Sequence, residues 1–231
     1  MRRILGLAVA AVALVSASAS AQDASTAVKN GGVKVAGWMG KIDVREATAG
    51  MKLEDQLFTT MGPGFHVTTG PATTYWNTAS NLTGNYTVSA TFDESKQTMD
   101  HPHPFGIMIA GKNLDTDKPE ALYCAAYRNG MFIFRGFSAS AGRGTFQLNG
   151  RAGEASDAVN KVEAKESPVK QEVSVSVQGD NVTCSINGKL VSTKTKAELI
   201  GDGKLTSLDG FAGVRFAHNT DAHVSGWAVK K

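Results

Sequence analysis

Cysteine is nearly absent from this chain: two residues in 231. That excludes the disulfide framework of a small stapled scaffold and any cysteine-based zinc module. Charge of one sign is also scarce. Lys and Arg number 24 against 21 Asp and Glu, a formal +3, too little for a nucleic-acid footprint. Charged residues make up 19% and hydrophobic ones 42%, a balance that excludes a disordered chain. Beyond residue 21 no run is long and apolar enough to cross a bilayer as a helix. Catalytic signatures are missing as well. There is no Gly-x-Ser-x-Gly elbow, and neither Gly111-Lys112 nor Arg143-Gly144 has phosphate-loop spacing around it. No strand carries Glu-x-Asp-x-x-Glu. Glu54-Asp55 and Asp93-Glu94 are adjacent pairs, and neighbours on a strand face opposite sides. No cofactor is expected.

What is present begins with an address. Arg2-Arg3, an apolar run from Ile4 to Val15 and the small residues ending in Ala19-Ser20-Ala21 read as a signal peptide over residues 1–21. The expectation is an exported, periplasmic or extracellular protein. Removing the leader takes away two arginines and no acid, so 22 minus 21 leaves +1. Residues 22–32 are small and polar and read as a flexible N-terminus. Residues 33–229 read as a single β-sandwich domain.

The dominant pattern after that is period two. Val173, Val175 and Val177 alternate with serines, and Val182, Cys184 and Ile186 alternate with polar residues. Asn187-Gly188 then marks a type I′ hairpin turn, because both residues tolerate positive φ. Residues 171–193 are a three-stranded meander on this reading. Further strands are expected at Val33–Trp38, Leu53–Phe58, Tyr86–Phe92, Phe105–Ala110, Ala121–Tyr127, Met131–Phe137, Phe211–Ala217 and His223–Val229. Thr195-Lys196-Ala197-Glu198 has capping-box spacing for one helical turn, and Glu154–Glu166 reads as a short surface helix within a long irregular stretch, 138–170. Many short strands with little helix predict an all-β, two-sheet antiparallel sandwich.

Several segments carry a family likeness. These are Gly84–Phe92, Phe105-Gly106-Ile107, Val173–Val177, Ile186-Asn187-Gly188-Lys189, Gly210–Phe216 and Val224–Val229. In this order they resemble the secreted concanavalin A-like jelly-roll family described as 3-keto-disaccharide hydrolase-like. The resemblance spans roughly residues 33–229. It implies a jelly-roll fold, concanavalin A-like or laminin G-like, and a glycoside-hydrolase-like activity on a small keto-sugar derivative. Where that family often has an Asn-Ser-Gly-rich strand ending in Arg, this chain reads His103-Pro104-Phe105-Gly106-Ile107-Met108-Ile109, so no catalytic residue is carried over.

The residues themselves favour carbohydrate or another small ligand in a shallow groove, since aromatic rings beside polar donors suit the two faces of a sugar. Candidates for the groove are Trp76, His101, His103, Tyr127, Arg128, Arg135 and Arg215. Arg215 alternates away from Val214 and Phe216, which turns it out of the core. A structural exported protein without a small-molecule site is the bland alternative. Asp100-His101-Pro102-His103-Pro104 puts two imidazoles on one side of an extended segment. Joined by His218 and His223, they would make a metal site; the alternative is a rigid loop with hydrogen-bonded histidines. Cys124 and Cys184 both fall in expected strands. In an oxidising compartment they could pair or stay separate buried thiols, and spacing does not choose.

Overall fold

The structure is a computed structural model and describes residues 23–138, 140–141 and 144–231. The leader expected over 1–21 lies outside the described residues. In chain order the strands are β1 (Gly32–Val33), β2 (Trp38–Ile42), β3 (Leu57–Met61), β4 (Gly64–Thr68), β5 (Thr73–Leu82), β6 (Tyr86–Glu94), β7 (Phe105–Lys112), β8 (Glu120–Ala126), β9 (Met131–Phe137), β10 (Thr145–Gln147), β11 (Glu154–Ala155), β12 (Val169–Gln178), β13 (Asn181–Ile186), β14 (Lys189–Thr195), β15 (Gly210–Phe216) and β16 (Asp221–Lys230). Two short helices, α1 (Val44–Thr48) and α2 (Lys196–Leu199), interrupt them.

The strands form two sheets. The first runs β1-β3-β4-β16-β6-β12-β13-β14, and the second β10-β9-β8-β7-β15-β5-β2 with β11 also on β9. Among the described residues every pairing of these strands is antiparallel except β1 on β3. This is the expected all-β jelly-roll sandwich.

Alternation explains the core. Val173, Val175, Val177, Val182, Cys184 and Ile186 project from the first sheet and are buried against Ile107, Ile109, Leu122, Phe134 and Val214 of the second. Residues one position away on the second sheet (Trp76, Met108, Tyr123, Ala125, Ile133) form a separate cluster on its outer face. Cys124 on β8 and Cys184 on β13 are joined in a disulfide across the sandwich, with Cα atoms 6.2 Å apart. The question that spacing left open is thus closed by the facing of two strands from different sheets. A crosslink over a 60-residue separation is worth about 4 kcal/mol in the loop-entropy account.

The Asn187-Gly188 turn has φ of 51° and 77°, as the hairpin requires. Thr195 and Glu198 close the expected capping box on α2. Other expectations need correction. The strand expected at Val33–Trp38 is two short strands separated by a turn, and Leu53–Phe58 opens as a single 3₁₀ turn, Leu53–Asp55. Glu154–Glu166 is not a helix. Its backbone bonds outward instead: β11 pairs with β9, and Val162 N–H donates to Arg128 O. Strands β4 and β5 were not foreseen, because β5 reads as polar sequence. The described part of the N-terminal segment, expected to be loose, is tied down. Thr26 N–H donates to Asn219 Oδ1, Val28 N–H to Asp55 O, and Gly32–Val33 pairs with β3.

Candidate functional site on the outer face of the second sheet

The outer face is ordered by register. One row runs Met39, Trp76, Gly213, Met108, Tyr123, Arg135 and Gln147 across seven strands. The next row on the same face runs Lys41, Thr74, Arg215, Gly106, Ala125 and Ile133. Large side chains fill the first row. In the second, Gly106 and Ala125 beside Arg215 leave the sheet low, and a hollow forms there. Three connecting segments wall it: Asp43, Arg45 and Glu46 at the start of α1, the His101–Pro104 loop, and Ala217-His218 after β15. The cavity is about 370 Å³ and is also lined by Tyr123, Tyr127, Ile133 and Arg135. A second, more apolar cavity of about 540 Å³ shares Asp43 and Arg45 and is lined by Val44, Leu114, Pro119 and Phe137.

Arg215 stands at the centre and is 7% exposed. Its Nη2 donates to Asp43 Oδ2 at 2.5 Å and its Nη1 to Thr74 Oγ1 at 3.3 Å. Its guanidinium carbon lies 5.8 Å from the Tyr123 ring centre and 5.3 Å from that of Phe137. A cation held by a carboxylate and packed over two neighbouring rings is fixed in place. Arg135, half-buried, is oriented by Gln147 Oε1 at 2.7 Å and Arg151 O at 3.0 Å. Burial raises the Tyr123 and Tyr127 phenols above their ordinary range, so both stay protonated and can donate.

The imidazoles gather at the other end of the cavity. His101 Nε2 and His103 Nε2 are 2.9 Å apart, and the His103 and His218 rings lie 4.2 Å apart, centre to centre. Burial, assisted by the neighbouring imidazoles of His218 and His101, lowers His103 to about 4. Burial also lowers His218, so both rings are neutral at pH 7.

Of the residues proposed from sequence, His101, His103, Tyr127, Arg135 and Arg215 line one cavity. Two do not. Trp76 is on the correct face but 4% exposed, packed in one cluster with Met108, Leu114 and Tyr123. Arg128 is 1% exposed and points away from the groove. It donates to Glu94 Oε2 at 3.1 Å and to the carbonyls of Ala164 and Ser167 at 2.9 and 2.6 Å. It is an internal clamp on the 161–168 segment, because a guanidinium at the end of β8 is the nearest donor for carbonyls that no strand pairs. The four-histidine set also needs correction. His218 joins His101 and His103, but His223 sits on β16 of the first sheet, opposite His66. The acidic pairs are occupied elsewhere: Asp55 accepts from Lys52 N–H, Asp93 pairs with Lys170, and Glu94 with Arg128. Sequence reasoning missed Asp43, Glu46 and Phe137. The one local signal was an acid just ahead of a helical turn.

No protein-family model and no curated protein matches this chain. Among solved structures, it is similar to a carbohydrate-binding module from Bacillus subtilis. The TM-score is 0.56 at 10% identity, covering 84% of this chain and 96% of that one. It is also similar to a protein of unknown function with a galectin-like fold from Bacillus subtilis (TM-score 0.48, 12% identity, 83% and 88% covered). A third likeness is to a glycosyl hydrolase, so described, from Parabacteroides distasonis (TM-score 0.48, 11% identity, 75% and 89% covered). At these identities the likeness concerns the fold alone, a two-sheet jelly roll.

Proposed function

We propose that the chain is an exported carbohydrate-binding domain whose ligand sits in the groove around Arg215. The observation that carries this reading is the fixed Arg215 guanidinium, packed over the neighbouring Tyr123 and Phe137 rings and lining a cavity of about 370 Å³. That volume suits one or two sugar rings, and a site of this kind combines apolar walls with a few aimed polar groups. Tyr123 and Tyr127 offer apolar surface for the C–H face of a sugar. Arg135, Arg215 and the protonated tyrosines offer donors to its hydroxyls, and Asp43 and Glu46 offer acceptors. The likeness in fold to a protein named as a carbohydrate-binding module supports the same reading. The interior disulfide suits an oxidising compartment and so supports export.

A glycan array followed by calorimetric titration tests the reading. The expected result is saturable binding of a mono- or oligosaccharide that Arg215→Ala weakens at least tenfold and Lys189→Ala, on the far hairpin, leaves unchanged. Binding to no glycan, or binding indifferent to Arg215→Ala in a folded variant, overturns it.

A further inference from the structure

We propose that His101, His103 and His218 bind one divalent transition-metal ion, with zinc the expected occupant, at the rim of the groove. One ligand atom from each ring can be chosen so that all three lie within 4.8 Å of one another. The two Nε2 atoms of His101 and His103 are 2.9 Å apart with ring planes at 82°. A tetrahedral zinc with Zn–N bonds of about 2.0–2.1 Å needs its nitrogens about 3.3 Å apart, so the His101–His103 pair needs a shift of a few tenths of an ångström, and His218 must close in from within 4.8 Å.

A second, independent observation points the same way. His218 is 4% exposed, and its Nε2 is buried without a hydrogen-bond partner. A buried nitrogen left unmatched is costly unless something outside the protein occupies it. Polar groups stand near the far sides of two of the rings, where metal-bound imidazoles take outer partners. His101 Nδ1 is 3.5 Å from Asp23 Oδ2. His218 Nδ1 is 3.4 Å from Ser25 Oγ, and that hydroxyl donates to Glu46 Oε2 at 2.6 Å. Ser25 can accept from His218 Nδ1–H, and that tautomer leaves the lone pair on Nε2 for the ion, whereas the Asn219 amide beside the same Nδ1 suits the other tautomer. Asn219 Nδ2 lies at the same 3.4 Å from Nδ1 and donates to Ala24 O. The His101-Pro102-His103-Pro104 sequence keeps the first two ligands on one rigid extended segment.

Three imidazoles are a donor set that suits Zn²⁺, Co²⁺, Ni²⁺ and Cu²⁺, not Mg²⁺ or Ca²⁺. All three line the groove, so a fourth coordination position is open to water or to a ligand oxygen. The site does not depend on the carbohydrate reading, since the metal is held by protein atoms alone.

The test uses the full chain without a polyhistidine tag, stripped with chelator and titrated with ZnCl₂ by calorimetry. One equivalent is expected to bind with micromolar or tighter affinity, and excess Mg²⁺ should not compete. His101→Ala removes an exposed ligand at no cost to the core and should weaken zinc at least 30-fold. His103→Ala should do the same in protein that circular dichroism shows folded, and His223→Ala should change nothing. Cobalt in place of zinc should give the intense visible bands of a four-coordinate site. No saturable zinc binding, or binding unaffected by His101→Ala, overturns the proposal. Repeating the sugar titration in chelator separates the two sites: loss of metal with sugar retained leaves the groove reading intact.

Discussion

Arg128 and Arg215 look alike on paper, and the fold gives them opposite work. Both belong to the second sheet or its turns, both are almost wholly buried, and each meets one carboxylate. Arg128 directs its donors inward, to Glu94 and to two carbonyls of the 161–168 segment. Arg215 directs two donors to Asp43 and Thr74 and packs over two neighbouring rings beside a cavity. One guanidinium closes structure and the other opens onto ligand space. The difference lies in the acceptors: loop backbone carbonyls consume the first, whereas the second rests on side chains at a rim.

Breaking the closed pair should have the larger effect on stability. Arg128→Ala leaves Glu94 and the Ser167 carbonyl without their donor, a loss expected at about 3–5 kcal/mol. Urea unfolding followed by circular dichroism measures it. Protein that remains folded at low temperature should keep wild-type affinity for the sugar proposed for the groove, since Arg128 lies off it.

The two ends also answer acid in opposite directions. His103 falls from 6.5 in the unfolded chain to about 4, so the unfolded state binds the extra proton between those values. Stability held by the neutral ring therefore drops as pH falls from about 6.5 toward 4, by at most about 3 kcal/mol. Burial pushes Glu94 up to about 7 even though Arg128 pulls it down. Its folded form takes the proton first, so its contribution to stability grows as pH falls from 7 toward 4.5. Melting temperatures across pH 4–7 should separate them: His103→Gln removes the loss on acidification, and Glu94→Gln removes the opposing gain. If neither variant alters the slope, the two assignments fail together.

Arg215→Ala is the sharper probe of function and the gentler one of stability. Asp43 is half-buried, so its abandoned carboxylate reaches water, and a cost of about 1–2 kcal/mol is expected against at least tenfold in sugar affinity. A stability loss equal to that of Arg128→Ala would mean that Arg215 is also a clamp. Smallest of all is His66, whose hydrogen bond to Asp221 outweighs burial and raises its pKa. Below about pH 6.5 the pair stabilises, and above it the contribution fades. His66→Ala should therefore cost more at pH 5 than at pH 8, by about 1 kcal/mol or less.

Much of the frame was legible because strand burial has period two. The valines of β12, the inward face of Cys184 and the Asn187-Gly188 turn follow from local chemistry alone. Arg215 was legible for the same reason, as its neighbours Val214 and Phe216 mark the inner face. Trp76 was not. Its outward face is evident only once β5 is known to be a strand, and its burial comes from Leu114 and Met108, distant in sequence. Arg128 misled because it follows an aromatic stretch, while the carbonyls it serves lie in a segment that reads as helix.

The sequence by itself settled the class of fold, the inner faces of the central strands and the turns between them. These depend on residues one to four positions apart. Tertiary structure alone decided the Cys124–Cys184 bond, the closed and open roles of the two arginines and the gathering of His218 with His101 and His103. Each depends on which segments the sandwich brings face to face, from the N-terminal stretch to β15. No local pattern encodes that proximity, because antiparallel register links residues far apart in the chain.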